Sequence, residues 1–403
     1  MLQNLRNRKF KKAIGLYIIV TILVVLLNVI AWNSTTFCDA YIKYIFPIWV
    51  NTYGRITGIF PFSVGEILLV LGVCSVVIFV LFVVGSLLIG FYRLCCGRQP
   101  VPGKLLQGFL KLSKGYCVWF AWLLLAVCLI MTLNCTILYH ASTFSEQYYG
   151  EEEGNYTQED LIAVRNFVVE RCNALSKEMV RDESGRILYG GDMEAGAIAA
   201  MKRLGDTYDQ LDGYYPRPKP LVASDFFSQQ YICGYYFPFS MEANYNNVMY
   251  IMNKPASMCH ELAHLRGYIF EDEANFISYL ACIQSGDPFF EYSGYLSVLN
   301  YLDNDFYDAV GRDWEAYSAQ PMILAQVHDD NTFLTDEEWD RINGKAIIET
   351  ETVDEISDAF TDTTLKVNGV SDGIISYNRV VELLLWYYDR QFGRKNYFFQ
   401  KTS

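Results

Sequence analysis

The chain has 403 residues, of which 52% are hydrophobic and 16% aromatic, and its formal net charge is −13. This length allows more than one domain. The charge is unevenly distributed, because residues 1–140 contain twelve Lys and Arg but only two acids, Asp39 and Glu66. The remaining residues are therefore strongly acidic. An acidic domain without a basic patch repels a phosphate backbone, so we expect no nucleic acid partner.

Three uncharged runs in the first third are each about 20 residues or longer, which is enough to cross a hydrocarbon core. They cover residues 13–32, 67–91 and 116–139. Globular helices rarely stay apolar on every face at this length, so the runs predict three transmembrane helices in contact with membrane lipid. A cleaved signal peptide is the alternative for the first run, but no A-x-A-like site follows it.

Lys and Arg cluster before the first run and between the second and third, whereas the loop between the first and second has only Lys43 and Arg55. The positive-inside rule then places the N-terminus in the cytoplasm and the chain after residue 139 outside it. We expect a plasma-membrane protein with a membrane domain, 1–140, and an extracytoplasmic domain, 141–403. The aromatic loop 33–60 is predicted to lie along the membrane interface, and Glu66 beyond it to be solvated or paired.

The pattern beyond residue 139 indicates a mostly helical α+β domain. Helices are predicted at 157–180, 193–204, from Pro255 through a histidine motif, and at 292–302, 337–348 and 375–388. Two extended segments, 231–239 and 248–252, predict a small sheet just ahead of the histidine helix. The fold class is therefore mainly α: three membrane helices followed by a mostly helical domain with a small sheet.

The stretch CHELAHLRGYIFEDEANFISYLAC, residues 259–282, holds the strongest functional signal. His260 and His264 share one helix face and can bind one metal ion, while Glu261, about 100 degrees round, can contact a water bound to it. Zn²⁺ suits this pattern, because three ligands and an open position activate water for attack on a carbonyl. Composition yields such a motif by chance about four times in a thousand, although two exposed histidines without a function are the alternative. Gly267 is predicted to end the helix.

A third ligand is predicted from the helical periodicity of EDEANF, residues 271–276. Glu271 continues onto a mostly polar face that suits solvent. Glu273 continues onto an apolar face, where a carboxylate is costly unless it is paired or bound to metal. Glu273 is therefore the predicted third ligand, and Asp272, which also lies above an apolar stripe, is the second choice.

HELAH followed by EAN on the next helix resembles the glutamate-zincins, thermolysin-like metallopeptidases in which a downstream Glu-Ala pair supplies the third ligand. The whole chain resembles a bacterial membrane-protein family known as domain of unknown function 3810. The segments that carry this resemblance are the membrane spans, PFSVGE, GYYFPFSMEAN, CHELAHLRGYIFEDEANF and ISYNRVVELL. The resemblance implies a zincin-like outer domain and a membrane-bound zinc peptidase, with His260, His264 and Glu273 as ligands and Glu261 as general base. It implies no substrate. The nine residues from His264 to Glu273 are a much shorter gap than in thermolysin-like enzymes.

Several further residues are candidates for accessory roles. Candidates for steadying an oxyanion are Tyr292, Tyr295, Tyr377 and His328. The segment NNVMYIMN, 246–253, is either a strand that binds a peptide by β-addition or an ordinary sheet edge. Disulfide bonds can form among Cys172, Cys233, Cys259 and Cys282 if the compartment is oxidising. Cys259 adjoins His260, but its helix position directs it away from the metal face.

The sequence thus predicts a membrane-anchored zinc metallopeptidase that hydrolyses an unknown peptide or protein substrate. The alternative is a non-catalytic zinc-binding sensor or assembly module of the cell envelope, against which Glu261 argues because a ligand set does not need that acid. A transporter accessory is less favoured, since three spans with one acid at an edge offer little polar pathway. An intramembrane protease is disfavoured because charge and glycine flank HELAH.

Overall fold

The computed structural model describes residues 2–95, 103–150, 156–368 and 379–392. Its N-terminal part is helical throughout, with elements α1 (Leu2–Asn33), α2 (Thr35–Tyr44), α3 (Phe46–Trp49), α4 (Arg55–Thr57), α5 (Val64–Cys95) and α6 (Lys104–Met131). A π-helical turn, Thr132–Thr136, and a 3-10 turn, Leu138–His140, extend α6. Three segments are long and apolar enough to cross a membrane: Lys11–Asn33, Val64–Cys95 and Lys104–His140. The three predicted spans fall within them.

The long helices contact one another through aromatic and small polar side chains. Phe79 of α5 stacks on Phe120 of α6 with ring centroids 4.2 Å apart. Asn28 of α1 donates to the Thr132 hydroxyl at 2.8 Å. Close packing of side chains and interhelical hydrogen bonds of this kind both stabilise contacts between apolar helices in a hydrocarbon environment.

The loop between the first two spans folds onto the C-terminal part of the chain. One face of this loop, including Cys38, Ile42, Phe46 and Val50, is buried in the same core as the globular helices. Its other side exposes apolar side chains, among them Tyr44, Ile48 and Ile56. The loop therefore packs on the globular helices through one face, so the packing does not divide at residue 140. Its position along the membrane interface stays a prediction.

The C-terminal part contains twelve further described helices and three short strands. They are α7 (Phe144–Tyr148), α8 (Gln158–Leu175), α9 (Met193–Gly205), β1 (Lys219–Pro220), α10 (Ser224–Ser228), β2 (Gly234–Phe237), β3 (Glu242–Tyr245), α11 (Asn253–His264), α12 (Glu271–Ile283), α13 (Pro288–Ala309), α14 (Trp314–Ser318), α15 (Ala325–Asp330), α16 (Asp336–Lys345), α17 (Thr350–Val367) and α18 (Val380–Phe392). The chain is thus mostly helical with a small sheet, as predicted.

Local signals explain where the predicted helices begin. Thr157 caps α8 through a capping box with Asp160, which satisfies two otherwise free backbone N–H groups. The helix ends at Leu175, five residues short of the predicted boundary, and α13 is longer at both ends than predicted. Helix α17 was not predicted from the sequence. The start of the predicted helix 375–388 lies outside the described residues.

The sheet has the order β1-β3-β2, so β2 is an edge strand. Strand β3 pairs with β1 in parallel and with β2 antiparallel, with Gly234 opposite Tyr245. The prediction of a strand at 248–252 was wrong. Asn246 accepts a hydrogen bond from the Val248 N–H at 3.1 Å, and this Asn-based turn takes the chain out of the sheet one residue after β3.

Candidate metal centre

Helix α11 carries the histidine pair and is defined at both ends by local contacts. The Asn253 side chain donates to the Thr332 carbonyl at 2.8 Å, and Pro255 lies in the first turn, where no N–H is needed. The helix ends at His264, and Gly267 has a φ of 95°, so the predicted stop is confirmed. A Cβ at Gly267 would lie 2.6 Å from Ile42 Cγ2, so a glycine here also allows α2 to pack on the turn.

The two histidines and Glu271 bring their ligand atoms to one point. The Nε2 atoms of His260 and His264 are 3.1 Å apart. The Glu271 carboxylate lies 2.9 Å from Nε2 of His260 and 3.8 Å from Nε2 of His264. Two imidazoles bound to a tetrahedral Zn²⁺ would hold their nitrogens about 3.3 Å apart, given Zn–N bonds of about 2.05 Å. The donor set and its spacing therefore fit this metal ion.

Glu273, the predicted third ligand, does not face the histidines. Its carboxylate accepts from the Ser145 N–H at 3.1 Å and from the Ser145 hydroxyl at 2.5 Å. Arg379 lies 3.6 Å from it and 3.4 Å from Asp272, the second choice, which also faces away. Both carboxylates are buried. The structure thus contradicts the prediction that Glu273 faces the histidines and brings Glu271 to them instead. The buried acids on the apolar faces of α12 are explained by pairing with Ser145 and Arg379.

The polar face of α12 turns toward α11 and not toward solvent. Asn275, one turn after Glu271, bonds through Oδ1 to Nδ1 of His260 at 2.8 Å. Nδ1 of His264 donates to the Tyr268 carbonyl at 2.7 Å. A carbonyl can only accept, so Nδ1 of His264 carries the hydrogen and Nε2 presents its lone pair to the ligand site. The sequence prediction missed Asn275, although its spacing of four from Glu271 was a usable signal.

Burial and neighbouring charge separate the pKa values of the two histidines. Burial opposes the charged form of His260, but its hydrogen bond to Glu271 and the negative charge there outweigh burial and raise the pKa of His260 to about 9. Burial lowers the pKa of His264 to about 4. The position between His260 and Glu271 therefore stabilises a positive charge, as a cation-binding site does.

Glu261 is buried beside the histidines and is 5% exposed. The backbone N–H of Tyr236 in β2 donates to its carboxylate, while Oε2 has no hydrogen-bond partner among the described residues. Burial raises the pKa of Glu261 to about 8. A Cβ at Gly234 would lie 2.5 Å from Glu261 Oε1, so the glycine of β2 makes room for this side chain. A buried carboxyl oxygen without a partner fits a role toward water or substrate.

The three candidate ligands and Glu261 line one cleft of about 890 Å³. Its walls come from the end of the third span (Met131, Tyr139), from β2, from α13 (Tyr301) and from the polar face of α17. The cleft is large enough for several residues of an extended peptide. It lies where the third span meets the globular body.

The sequence model of the family described as protein of unknown function (DUF3810) matches residues 41–385. The chain belongs to this family. The matched region includes the loop between the first two spans, the second and third spans, the sheet and the metal centre, so the family unit crosses residue 140. No curated protein and no solved structure matches the chain.

The remaining predicted accessory residues lie elsewhere. Tyr292 donates to Asp330 at 2.8 Å, and Tyr295 and His328 are not among the residues that line the cleft. Tyr377 is outside the described residues. Tyrosines that do line the cleft are Tyr139, Tyr231, Tyr235, Tyr236 and Tyr301.

The four cysteines proposed for disulfides are all free. Cys259 and Cys282 are the nearest pair, with Sγ atoms 3.9 Å apart. The Cys259 thiol is directed at the Ala197 carbonyl, which agrees with the prediction that it faces away from the metal ligands.

Proposed function

We propose that this protein is a membrane-anchored zinc-dependent metallopeptidase whose active site lies outside the cytoplasm. The observation that carries this proposal is the convergence of three candidate ligand atoms, from His260, His264 and Glu271, within 4.8 Å of one another. Beside them lies the buried Glu261, whose Oε2 has no hydrogen-bond partner among the described residues. A ligand set alone would not require that acid. Its presence favours hydrolysis over a zinc-binding sensor or assembly module.

His260, His264 and Glu271 would hold the metal, with Asn275 and Tyr268 fixing the imidazole rings. Zn²⁺ bound there would supply a Lewis acid that polarises a carbonyl and lowers the pKa of water. The free Oε2 of Glu261 accepts the proton of the attacking water and returns it to the leaving amine. Burial raises the pKa of Glu261, which strengthens this carboxylate as a proton acceptor.

Strand β2 offers a place for an extended peptide. The Cys233 carbonyl accepts from the Asn246 N–H at 2.8 Å, which sets the alternation of the β2 and β3 ladder. Gly234 and Tyr236 then direct their backbone groups away from β3. The Tyr236 N–H bonds to Glu261, so a peptide pairing with this edge would lie across the general base. The edge strand for substrate is therefore β2, in place of the segment 246–253 considered from the sequence.

The position of the cleft at the end of the third span supports an active site near the lipid surface. The charge bias of the loops favours the extracytoplasmic side. The N-terminus would be cytoplasmic. The accessible substrates would be peptides or protein segments close to the membrane.

The experiment uses the full chain, purified in detergent, with metal analysis beside hydrolysis of a quenched fluorescent peptide library. We expect about one zinc per chain, loss of both zinc and hydrolysis with a chelator, and recovery of both when Zn²⁺ is added back. Zinc binding without hydrolysis of any peptide would favour the sensor or assembly module. A chain that binds no zinc would contradict both functions.

A further inference from the structure

The cleft beside the metal ligands is acidic on more than one wall. Its acids are Glu261, Glu271, Asp354 and Asp358. Across the part of the chain that the structure describes, no Lys or Arg is among the residues that line it. A divalent metal ion would offset the charge of the first two, so the charge that remains unbalanced is on α17.

Helix α17 presents a single polar face to the cleft. The residues of this face are Asp354, Ser357, Asp358, Thr361 and Thr364. Its apolar contacts are made by other positions, among which Val353 and Leu365 are buried. The helix therefore packs on the globular body through its apolar residues and turns a separate polar face toward the cleft.

Asp354 and Asp358 lie one helical turn apart, where two like charges repel. Neither makes an ion pair with any residue in the described ranges. Burial and the negative charge of Asp358 and Glu355 raise the pKa of Asp354. Two adjacent carboxylates without a counter-charge favour a cation from outside the chain.

A second observation, the buried Glu261, also indicates that this cleft binds a ligand. Glu261 is 5% exposed, lines the cleft, and leaves Oε2 without a hydrogen-bond partner in the described structure. A buried oxygen in this state favours a water molecule or a substrate group as its partner in the cleft. The acidic face of α17 and the general base therefore belong to one binding site.

Given the peptidase function above, on which this rests, we propose that the cleft selects peptides with a basic side chain, held by Asp354 and Asp358 while the backbone lies across Glu261. Apolar side chains of the same peptide would contact Met131 and Tyr139 at the end of the third span. The substrate class is then a peptide segment that combines Lys or Arg with apolar residues.

The test measures binding separately from hydrolysis. The full chain carrying Glu261→Gln, loaded with zinc in detergent, is titrated with fluorescein-labelled decapeptides of Ala, Leu, Gly and Ser in which one position, varied in turn, is Lys or Gln. At the most sensitive position we expect the Lys peptide to bind up to about tenfold more tightly, the upper end of what ion pairs with the half-exposed Asp354 and the exposed Asp358 supply. This advantage should shrink when salt is raised from about 0.05 M to about 0.5 M.

The advantage should disappear when Asp354→Asn and Asp358→Asn are added. The matched control is Glu351→Gln with Glu355→Gln, which removes the same charge from exposed positions of α17 that do not line the cleft, and it should keep the advantage. Equal zinc content in all variants would show that the metal centre is intact. Equal binding of Lys and Gln peptides, or an advantage that survives in the Asp354 and Asp358 variant, would overturn the inference. Selective binding without hydrolysis by the unsubstituted chain would instead contradict the peptidase function.

Discussion

Glu271 and Glu273 are two positions apart on one helix, yet their carboxylates have opposite surroundings. Glu271 lies 2.9 Å from His260, whereas Glu273 accepts two hydrogen bonds from Ser145. Burial raises the pKa of Glu273 to about 7. Near neutral pH this carboxyl group is therefore partly protonated and does not require a bound cation. At the scale of single residues, the set of candidate ligands therefore depends on which acid of α12 faces α11.

Glu271→Gln should strip zinc from the protein, because it removes one of the three ligands. The loss should exceed the roughly 10- to 100-fold weakening that follows removal of an outer hydrogen-bond partner of a ligand. Glu273→Gln is the matched control and should keep its zinc, since the amide can still accept from Ser145. Metal content after dialysis and zinc affinity by chelator competition measure both. The reverse result would restore the ligand set predicted from the sequence.

Glu261→Gln should separate hydrolysis from metal binding. The side chain is the proposed base and is not one of the three candidate ligands, so we expect zinc content and melting temperature near those of the unsubstituted protein. Peptide hydrolysis should fall by about two orders of magnitude or more, as when a general base is lost. His260→Ala and His264→Ala are the comparison, and should lower zinc content and melting temperature together. Cleavage at the original rate by Glu261→Gln would end the peptidase proposal.

At the scale of elements, the site is assembled by two helices and one edge strand. Helix α11 supplies the histidines and Glu261, and α12 supplies Glu271 together with Asn275, the partner of His260. Strand β2 adds the N–H that orients Glu261. Because β2 passes so close to Glu261, the strand and the base are fixed relative to each other.

Gly234→Ala tests this close approach. The added Cβ would lie 2.5 Å from Glu261 Oε1 and 2.9 Å from the Asn244 carbonyl, so either the base or the strand must move. We expect hydrolysis to fall about 100-fold, since small misplacements of a catalytic group have effects of that order. Zinc content should not change. Gly190→Ala, where an added Cβ would meet nothing within 4 Å, serves as the control and should retain activity. Normal hydrolysis by Gly234→Ala would show that this contact does not position the base.

At the scale of the whole molecule, the second span is anchored to the sheet by buried charge. Glu242 of β3 accepts from the N–H groups of Val64 and Gly65 at the start of α5, where a carboxylate is favourable, and also pairs with Lys219 of β1. Glu66 accepts from the N–H groups of Val222 and Ala223, so it is paired, as the sequence predicted. The globular body is thus held against the start of the second span.

The charge bias predicts which side of the membrane this body occupies. A reporter enzyme that is active only outside the cytoplasm should be active when it is fused after Ser403. The same reporter fused at Gly103, between the second and third spans, should be inactive, because that loop carries the cytoplasmic excess of Lys and Arg. Activity in live cells measures both fusions. Activity at Gly103 and none at Ser403 would move the metal centre to the cytoplasmic side.

Sequence periodicity and composition alone determined the local features of this protein. The three apolar helices, the helix that carries His260 and His264, and its end at Gly267 all follow from side-chain pattern and backbone preference within one segment. Such signals are local, because each depends on about 5 to 20 consecutive residues.

Tertiary structure decided whatever depends on a partner far away in sequence. Periodicity placed Glu271 and Asn275 on a polar face but did not show that α11 covers that face, whereas Ser145 and Arg379 supply the partners that bury Glu273. The turn after β3 depends on the Asn246 side chain, and helix α17 is recognised as a wall of the site only through the cleft that it lines. A polar stripe on a helix has the same sequence pattern whether water or a metal site faces it, so the packing of neighbouring elements makes the choice.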